Sequence, residues 1–183
     1  MATKPKATIE DLYSVSDDGK AELVNGELVL MPPTGDMPSR AGLNVTMSLR
    51  EYERHTHTGR AYPDNAGFRV NLPHRESFSP DASFYTGTPT GMRFLEGAPI
   101  FAVEIRSEHD YGPAAERALA EKRADYFATG TLVVWDVDLL GHDTIRVYRA
   151  SDPQHPNIYR RGEVAEAEPA LPDWRMPVDE LFA

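Results

Sequence analysis

The 183-residue sequence contains no cysteine, and that absence excludes several kinds of site. Without thiols the chain forms no disulfide, no thiolate metal site and no cysteine nucleophile, which agrees with a reducing compartment. Long apolar runs are missing too, because no stretch of the sequence approaches the ~20 residues that span a bilayer. The N-terminal residues also lack the apolar core of a signal peptide. We therefore expect a cytoplasmic protein that does not enter the membrane.

Positive charge is scarce as well, since 19 Lys and Arg residues face 29 Asp and Glu residues and give a net charge of −10 at pH 7. Such a surface repels a polyanion at long range, because nonspecific affinity for nucleic acids depends on Lys and Arg contacts to phosphate. The composition therefore argues against a module that binds DNA by charge alone. It is compatible with an enzyme that contacts DNA through a local basic patch or a bound metal ion.

The remaining composition is that of an ordinary soluble globular protein, with 40% hydrophobic and 26% charged residues. No repeat, low-complexity segment or linker divides the chain, so we expect one domain over 1–183, with residues 1–7 flexible. Helices are predicted over 8–13, 39–55, 113–130 and 177–182, a hairpin over 21–31, and strands over 67–72, 79–85, 99–105, 131–137, 144–149 and 157–160. Residues 86–98 are predicted to be a surface loop, and 163–174 an acidic, proline-punctuated tail. This order predicts a mixed-sheet α/β or α+β domain.

The hairpin carries the clearest local signal in the sequence. Asn25-Gly26 joins two apolar runs, and this pair tolerates the positive φ angles of a type I′ turn. The resulting register pairs Leu23 with Leu28 on one face of the hairpin. It pairs Glu22 with Val29 on the other face, which we expect to be partly covered.

Two carboxylates stand out among the predicted strands. Asp81 follows Pro80 near the start of a strand, a position where proline is tolerated. Glu104 lies near the end of the apolar strand 99–105, where a glutamate is rarely buried without a partner. On position alone, the simpler interpretation of Asp81 is a turn former, and that of Glu104 is a strand-end residue or half of a structural ion pair.

Lys122 occupies an unusual place on the helix predicted over 113–130. At about 100° per residue it falls in the middle of an apolar stripe that includes Leu119 and Tyr126. An ammonium directed towards a core is costly unless it meets an anion or reaches the edge of the core by snorkelling, which is the simpler interpretation of Lys122.

The three charges suggest one site if their elements are neighbours. Asp81 and Glu104 would then share a divalent cation, and Lys122 would orient or polarise an attacking water. Oxygen ligands with retained waters suit Mg²⁺ or Mn²⁺, and the corresponding chemistry is hydrolysis of a phosphodiester. The six histidines and the run Ser107–Asp110 offer weaker alternatives, a zinc site and a Ser-His-Asp triad, because neither set has a suitable spacing.

Five short motifs follow one another along the sequence. They are Glu22–Pro33, Pro80–Phe84, Pro99–Ser107, Glu121–Tyr126 and Leu132–Asp138. Together they resemble the successive signatures of the Uma-type family, a large bacterial group of restriction-endonuclease-like proteins in the PD-(D/E)XK nuclease superfamily. The resemblance covers nearly the whole chain.

This resemblance implies an α/β (α+β) fold with a central mixed β-sheet flanked by helices, and a nuclease that acts on DNA. It makes Asp81 and Glu104 the metal ligands for Mg²⁺ or Mn²⁺. Lys122 matches a catalytic lysine that the family takes from the helix after the core strand. Arg106 replaces the usual lysine two places after the acid, and Glu22 matches a further acidic position, so both are expected to assist.

One position departs from the family pattern. A histidine often follows the Pro-Pro-x-Gly turn, and this chain has Pro38 there. Arg106 could compensate as a phosphate contact, but it cannot act as a base near neutral pH. The alternative is therefore that the protein is a catalytically weak or inactive member of the same fold that serves as a DNA-associated or protein-interaction module. A homodimer is the assembly that we consider for it.

Overall fold

A computed structural model describes residues 6–15 and 19–183. The helices are α1 (Ile9–Tyr13), α2 (Asp36–Thr56) and α3 (Pro113–Ala128), and a 3₁₀ helix covers Val178–Phe182. The strands are β1 (Lys20–Val24), β2 (Glu27–Met31), β3 (Arg60–Pro63), β4 (Phe68–Leu72), β5 (Arg75–Phe78), β6 (Ala82–Tyr85), β7 (Leu95–Glu96), β8 (Phe101–Ile105), β9 (Val133–Val137), β10 (Ile145–Arg149), β11 (Asp152–Tyr159), β12 (Val164–Ala167) and β13 (Leu171–Pro177). The flexibility that we expect for residues 1–7 mainly concerns residues 1–5, which lie outside the described residues.

Local sequence signals define the N-terminal elements. Thr8 caps α1 by accepting a hydrogen bond from the Asp11 amide, and the Asp11 carboxylate accepts one from the Thr8 amide at 2.7 Å. This reciprocal capping box confirms the predicted helix start. The β1–β2 hairpin has the predicted register, and Asn25 and Gly26 have φ angles of 54° and 74°, as a type I′ turn requires.

The strands form two mixed sheets and a separate hairpin. The first sheet has the order β2-β1-β5-β4-β7, the second has the order β11-β10-β9-β8-β6-β3, and β12 pairs with β13. Because β5 belongs to the first sheet and β6 to the second, the segment 79–81 carries the chain from one sheet to the other. The predicted mixed α+β architecture is confirmed, with its strands divided between two sheets.

The centre of the second sheet is β8, which is antiparallel to β6 and parallel to β9. Ala82 on β6 pairs with Val103 on β8. The paired register ends there, and Asp81, the residue before Ala82, donates a hydrogen bond from its amide to the Val103 carbonyl at 3.0 Å. Asp81 therefore lies beside β8, next to Glu104, so the two predicted carboxylates come from neighbouring segments of the second sheet.

Apolar side chains cover both faces of the second sheet. On one face, Val45 and Leu49 of α2 pack with Trp135 of β9 in the largest core cluster. On the other face, Tyr126 of α3 stacks on Phe78 with ring centroids 4.0 Å apart. These two layers fix β8 between α2 and α3, and an aromatic contact of this kind adds about 1 kcal/mol beyond burial.

α2 begins earlier than predicted, at Asp36 rather than Ser39. Pro38 lies in its first turn, where a missing backbone N–H costs no hydrogen bond and the fixed φ of proline suits the helix. The position at which the family often has a histidine is thus part of a regular helix start.

Several elements differ from the prediction. The sequence pattern predicts no strand at β3 or β5, and the surface loop expected over 86–98 contains the short strand β7. The tail expected over 163–174 forms the β12–β13 hairpin, in which Trp174 is buried against Trp135 with ring centroids 5.1 Å apart. The prolines in this segment do not prevent pairing because the hairpin is a two-stranded unit with free edges.

In the described ranges 6–15 and 19–183, none of the helices combines the length and hydropathy that a membrane crossing requires.

Candidate active site

Asp81 immediately precedes β6 and is held in place by the neighbouring strand β8. Its Oδ2 atom accepts a hydrogen bond from the Ile105 amide at 2.7 Å, across the strand boundary. Since its own amide binds the Val103 carbonyl, the Asp81 side chain and backbone straddle Glu104. The orientation of this carboxylate is therefore set by two backbone contacts to β8.

Glu104 faces α3 and binds two side chains of that helix. Its Oε2 atom lies 2.8 Å from Lys122 Nζ, and its Oε1 atom accepts a hydrogen bond from the Tyr126 hydroxyl at 2.6 Å. Lys122 and Tyr126 are four residues apart, so they project from the same side of the helix. The apolar stripe that predicted an inward-facing Lys122 thus brings this lysine to the predicted acid.

Glu22 reaches the same lysine from β1. Its Oε1 atom lies 2.9 Å from Lys122 Nζ and also accepts a hydrogen bond from the Ser79 amide at 2.9 Å. Its Oε2 atom accepts one from Arg75 Nη1 at 2.6 Å. The face of β1 that we expected to be partly covered is fully covered at this residue, because Glu22 is only 4% exposed. The Lys122 ammonium therefore lies between two carboxylates, one from each sheet.

Arg75 connects this cluster to the surface. Its Nε atom lies 2.7 Å from Asp125 Oδ2, while the other oxygen of Asp125 lies 2.7 Å from His74 Nε2. Sequence reasoning missed Arg75 and Asp125. A signal for Asp125 does exist, since it lies three residues after Lys122 on α3 and so shares its side of the helix. Arg75 has no comparable local signal.

A second lysine contacts Asp81, and the sequence analysis missed it too. Lys20 Nζ lies 3.0 Å from Asp81 Oδ1 and 2.6 Å from Asp64 Oδ1. Lys20 and Glu22 are two residues apart on β1, so their side chains project from the same face of the strand. That spacing was available in the sequence, and it would have identified Lys20 once Glu22 was placed in the site.

Arg106 is engaged elsewhere on the same face of β8 as Glu104. Its guanidinium forms two hydrogen bonds to Asp136, at 2.7 and 2.8 Å, and it also pairs with Glu116. The side chain is only 4% exposed. The structure therefore brings together Asp81, Glu104, Lys122 and Glu22, and it directs Arg106 to different partners.

The pKa shifts in the cluster depend on how many cations each carboxylate contacts. Burial raises the pKa of Glu104, and Lys122 offsets this only in part because Asp81 and Glu22 add negative charge nearby. Burial also acts on Glu22, but attraction to Lys122 and Arg75 outweighs it and lowers the pKa of Glu22 below the ordinary value. The two carboxylates share one ammonium, and the additional contact of Glu22 with Arg75 contributes to the opposite directions of their pKa shifts.

Lys122 remains protonated in this environment. Burial lowers its pKa, but the opposing attraction of Glu104 and Glu22 is stronger and raises the pKa above the ordinary value. The pKa of Tyr126 is also raised, first by burial and then by Glu104. At neutral pH both groups are donors, so neither removes a proton from water. Their chemistry here is to orient oxygen atoms and to stabilise negative charge.

A cleft of about 510 Å³ opens beside the cluster, between the end of β2 and the start of β1. Lys20 and Asp64 line it together with Pro32 and Pro33. Within residues 6–15 and 19–183, no group of three or more His, Asp or Glu side chains is arranged to hold a metal ion. The arrangement is thus two neighbouring carboxylates with an ammonium beside each, of which only that of Lys20 lines the open cleft.

Comparisons with known proteins agree with this architecture. Over residues 7–179 the chain matches the model of the Uma2 family, which is described as "Putative restriction endonuclease". Its fold is similar to the crystal structure of "a putative nuclease belonging to DUF820" from Anabaena variabilis ATCC 29413, with a TM-score of 0.71 and 17% sequence identity. That similarity covers 88% of this chain and 89% of the other. None of the curated proteins matches the sequence.

The family match spans almost the whole chain, and the structural similarity supports the restriction-endonuclease-like fold expected from the sequence motifs. The chain belongs to the Uma2 family of restriction-endonuclease-like proteins.

Proposed function

We propose that this protein is a divalent-metal-dependent nuclease that hydrolyses phosphodiester bonds of DNA. The observation that carries the proposal is the position of Lys122, whose ammonium lies 2.8 Å from Glu104 on the strand next to Asp81. Two adjacent carboxylates with a buried lysine form the donor set that phosphodiester hydrolysis needs, and the family description agrees with such an activity.

Asp81 and Glu104 would hold Mg²⁺ or Mn²⁺. The donor set fits such an ion, because these two carboxylates lie on neighbouring segments of the sheet and supply hard oxygen atoms. Each also has one oxygen already oriented, by the Ile105 amide in Asp81 and by the Tyr126 hydroxyl in Glu104. Two protein carboxylates leave the remaining positions to water and substrate phosphate, as is usual for Mg²⁺. When bound, the ion supplies a positive charge that stabilises a phosphoryl group under attack.

Lys122 would orient the attacking water and stabilise charge rather than act as a base. Its protonated state follows from the contacts to Glu22 and Glu104. Glu22 would assist by positioning the ammonium, and Arg75 and the Ser79 amide hold Glu22 in turn. An ammonium fixed from two sides loses little freedom when the substrate binds, which favours a preorganised site.

A second candidate function is a non-catalytic, DNA-associated or protein-interaction module of the same fold. The observation that favours it is that lysines already neutralise both proposed ligands, Lys20 at Asp81 and Lys122 at Glu104. Pro38, which stands where the family often has a histidine, also favours the non-catalytic candidate. For both candidate functions, the assisting role of Arg106 stays a prediction. The homodimer stays a prediction as well.

The test is a cleavage assay on single-stranded, double-stranded and branched DNA with Mg²⁺ or Mn²⁺, alongside calorimetric titration of each ion. Asp81→Asn should lower the cleavage rate by roughly 10²-fold or more, the loss typical of removing one preorganised electrostatic group. Asp152→Asn is the matched control, because Asp152 is an exposed aspartate that pairs with His155. Wild type that binds neither ion and cleaves none of the substrates contradicts the nuclease proposal. DNA binding without cleavage supports the second candidate.

A further inference from the structure

Lys20 has no role in the nuclease mechanism proposed above, yet its position is unusual. Its ammonium contacts two carboxylates, Asp81 at 3.0 Å and Asp64 at 2.6 Å, and its side chain is only 13% exposed. Among the described side chains, Lys20 is the only cation in contact with Asp81. Lys122 does not serve this purpose, because its contacts are to Glu22 and Glu104.

The charges around Lys20 make its removal costly in the absence of another cation. Asp64, Asp81 and Glu104 all lie close enough to attract its ammonium. Neighbouring carboxylates repel one another unless a cation lies between them. The cluster thus needs a positive charge beside Asp81, supplied either by Lys20 or by a metal ion.

Lys20 also stands at a boundary between the cluster and open space. It lines the cleft of about 510 Å³ together with Asp64, whereas Asp81 is not among the residues that line this cleft. A flexible four-carbon stem lets an ammonium move by several ångströms without any change of the backbone. Lys20 can therefore leave Asp81 and remain near the site, with its charge directed into the cleft.

We propose that Lys20 is the built-in counter-ion of the candidate metal site: it neutralises Asp81 in the metal-free protein, yields Asp81 to a divalent ion, and then presents its ammonium to a substrate phosphate in the cleft. The inference rests on the proposed function, because it takes Asp81 to be a metal ligand. Its consequence is that metal binds in competition with an internal cation. Metal affinity is then weaker than the carboxylates alone would give.

The experiment is calorimetric titration of Mn²⁺ into wild type, Lys20→Met and Lys20→Gln, without DNA. Removing the competing ammonium should lower the Kd for Mn²⁺ by roughly tenfold to hundredfold, the range expected for one lost hydrogen bond to a charged group. Arg69→Met is the control, because it removes the same charge from an exposed pair with Glu96 and should leave the Kd within about twofold.

Thermal unfolding provides a second readout that does not depend on catalysis. With chelator present, Lys20→Met should unfold at a lower temperature than wild type, because Asp81 loses its cation. Saturating Mn²⁺ should then raise the unfolding temperature of the variant by more than it raises that of wild type. Lys20→Gln keeps a hydrogen-bond donor at this position and serves if the methionine variant does not fold.

The outcomes separate this inference from the proposed function. Wild type that binds Mn²⁺ with a Kd that neither variant improves overturns the counter-ion role and leaves the nuclease proposal intact. Failure of wild type and both variants to bind Mn²⁺ overturns both proposals. Binding that appears only in the variants supports the counter-ion role and contradicts metal dependence of the wild-type protein.

Discussion

Lys122 Nζ lies 2.8 Å from Glu104 Oε2, which joins the middle of α3 to the penultimate residue of β8. The two residues of this ion pair are 18 positions apart in the sequence, and the pair connects β8 with α3 across the loop between them. It also helps to fix α3 to the sheet, because only Asp125 and Tyr126 of this helix are buried.

Lys122→Met should destabilise the protein by about 3–5 kcal/mol, because it leaves Glu22 and Glu104 buried without their shared cation. Denaturation with urea measures this loss. Arg161→Met is the control, since it breaks an exposed pair with Asp179 and should cost about 1 kcal/mol or less. A loss for Lys122→Met as small as that of the control would mean that the cluster does not support the fold.

The contribution of Glu22 to stability should depend on pH in a defined direction. The pKa of Glu22 is lowered in the folded protein, so its ionised form favours folding above the ordinary value of 4.5, and this contribution disappears as the pH falls through the lower folded value. Urea denaturation of wild type and Glu22→Gln should therefore differ most near neutral pH and converge in acid. Glu121→Gln, on the exposed side of α3, controls for the loss of one carboxylate. A difference that grows in acid would contradict the assignment.

Arg106 provides a test that separates a structural ion pair from a phosphate contact. Because its guanidinium is occupied by Asp136 and Glu116, Arg106→Gln should lower the free energy of unfolding by about 3 kcal/mol. The salt dependence of DNA binding should not change. A decrease of about one in the slope of log K against log salt would instead identify a contact to a phosphate.

The C-terminal hairpin should be required for stability. Trp174 packs on Trp135 and Phe101 with ring centroids 5.1 and 5.5 Å away, and its indole nitrogen lies 3.2 Å from Ser48 Oγ. Trp174→Ala should cost about 3–5 kcal/mol, as expected for a buried aromatic side chain. Ser48→Ala, which removes only the hydrogen-bond partner, should cost about 1 kcal/mol. Equal losses for the two variants would exclude packing as the main contribution.

The parts of the site that the sequence predicted each carry a local signal. Asp81 follows a proline, Glu104 lies in an apolar strand, and Lys122 lies on an apolar helical stripe. Family motifs then connected the three. The convergence of Asp81, Glu104 and Lys122 itself depends on the pairing of β6 with β8 and on the packing of α3 against that sheet.

The parts that the sequence did not predict depend on contacts that no short window contains. Arg75 lies on the four-residue strand β5, which follows a tight turn and carries no clear alternation. Lys20 opens β1 and has the appearance of an ordinary polar strand start until the position of Asp81 is known. The β12–β13 hairpin was missed because its prolines and acidic residues have the composition of a loop, whereas the burial of Trp174 against the sheet outweighs that preference.

The hydrogen bond from the Ile105 amide to Asp81 has a practical consequence. This amide is bonded to a side chain that is itself at the centre of the candidate site. Its chemical shift and its rate of exchange with solvent deuterium should follow whatever happens to Asp81, including protonation, loss of Lys20 or the arrival of a ligand. A single backbone resonance on β8 can thus act as a spectroscopic probe of the site, present in the wild-type protein without any added label.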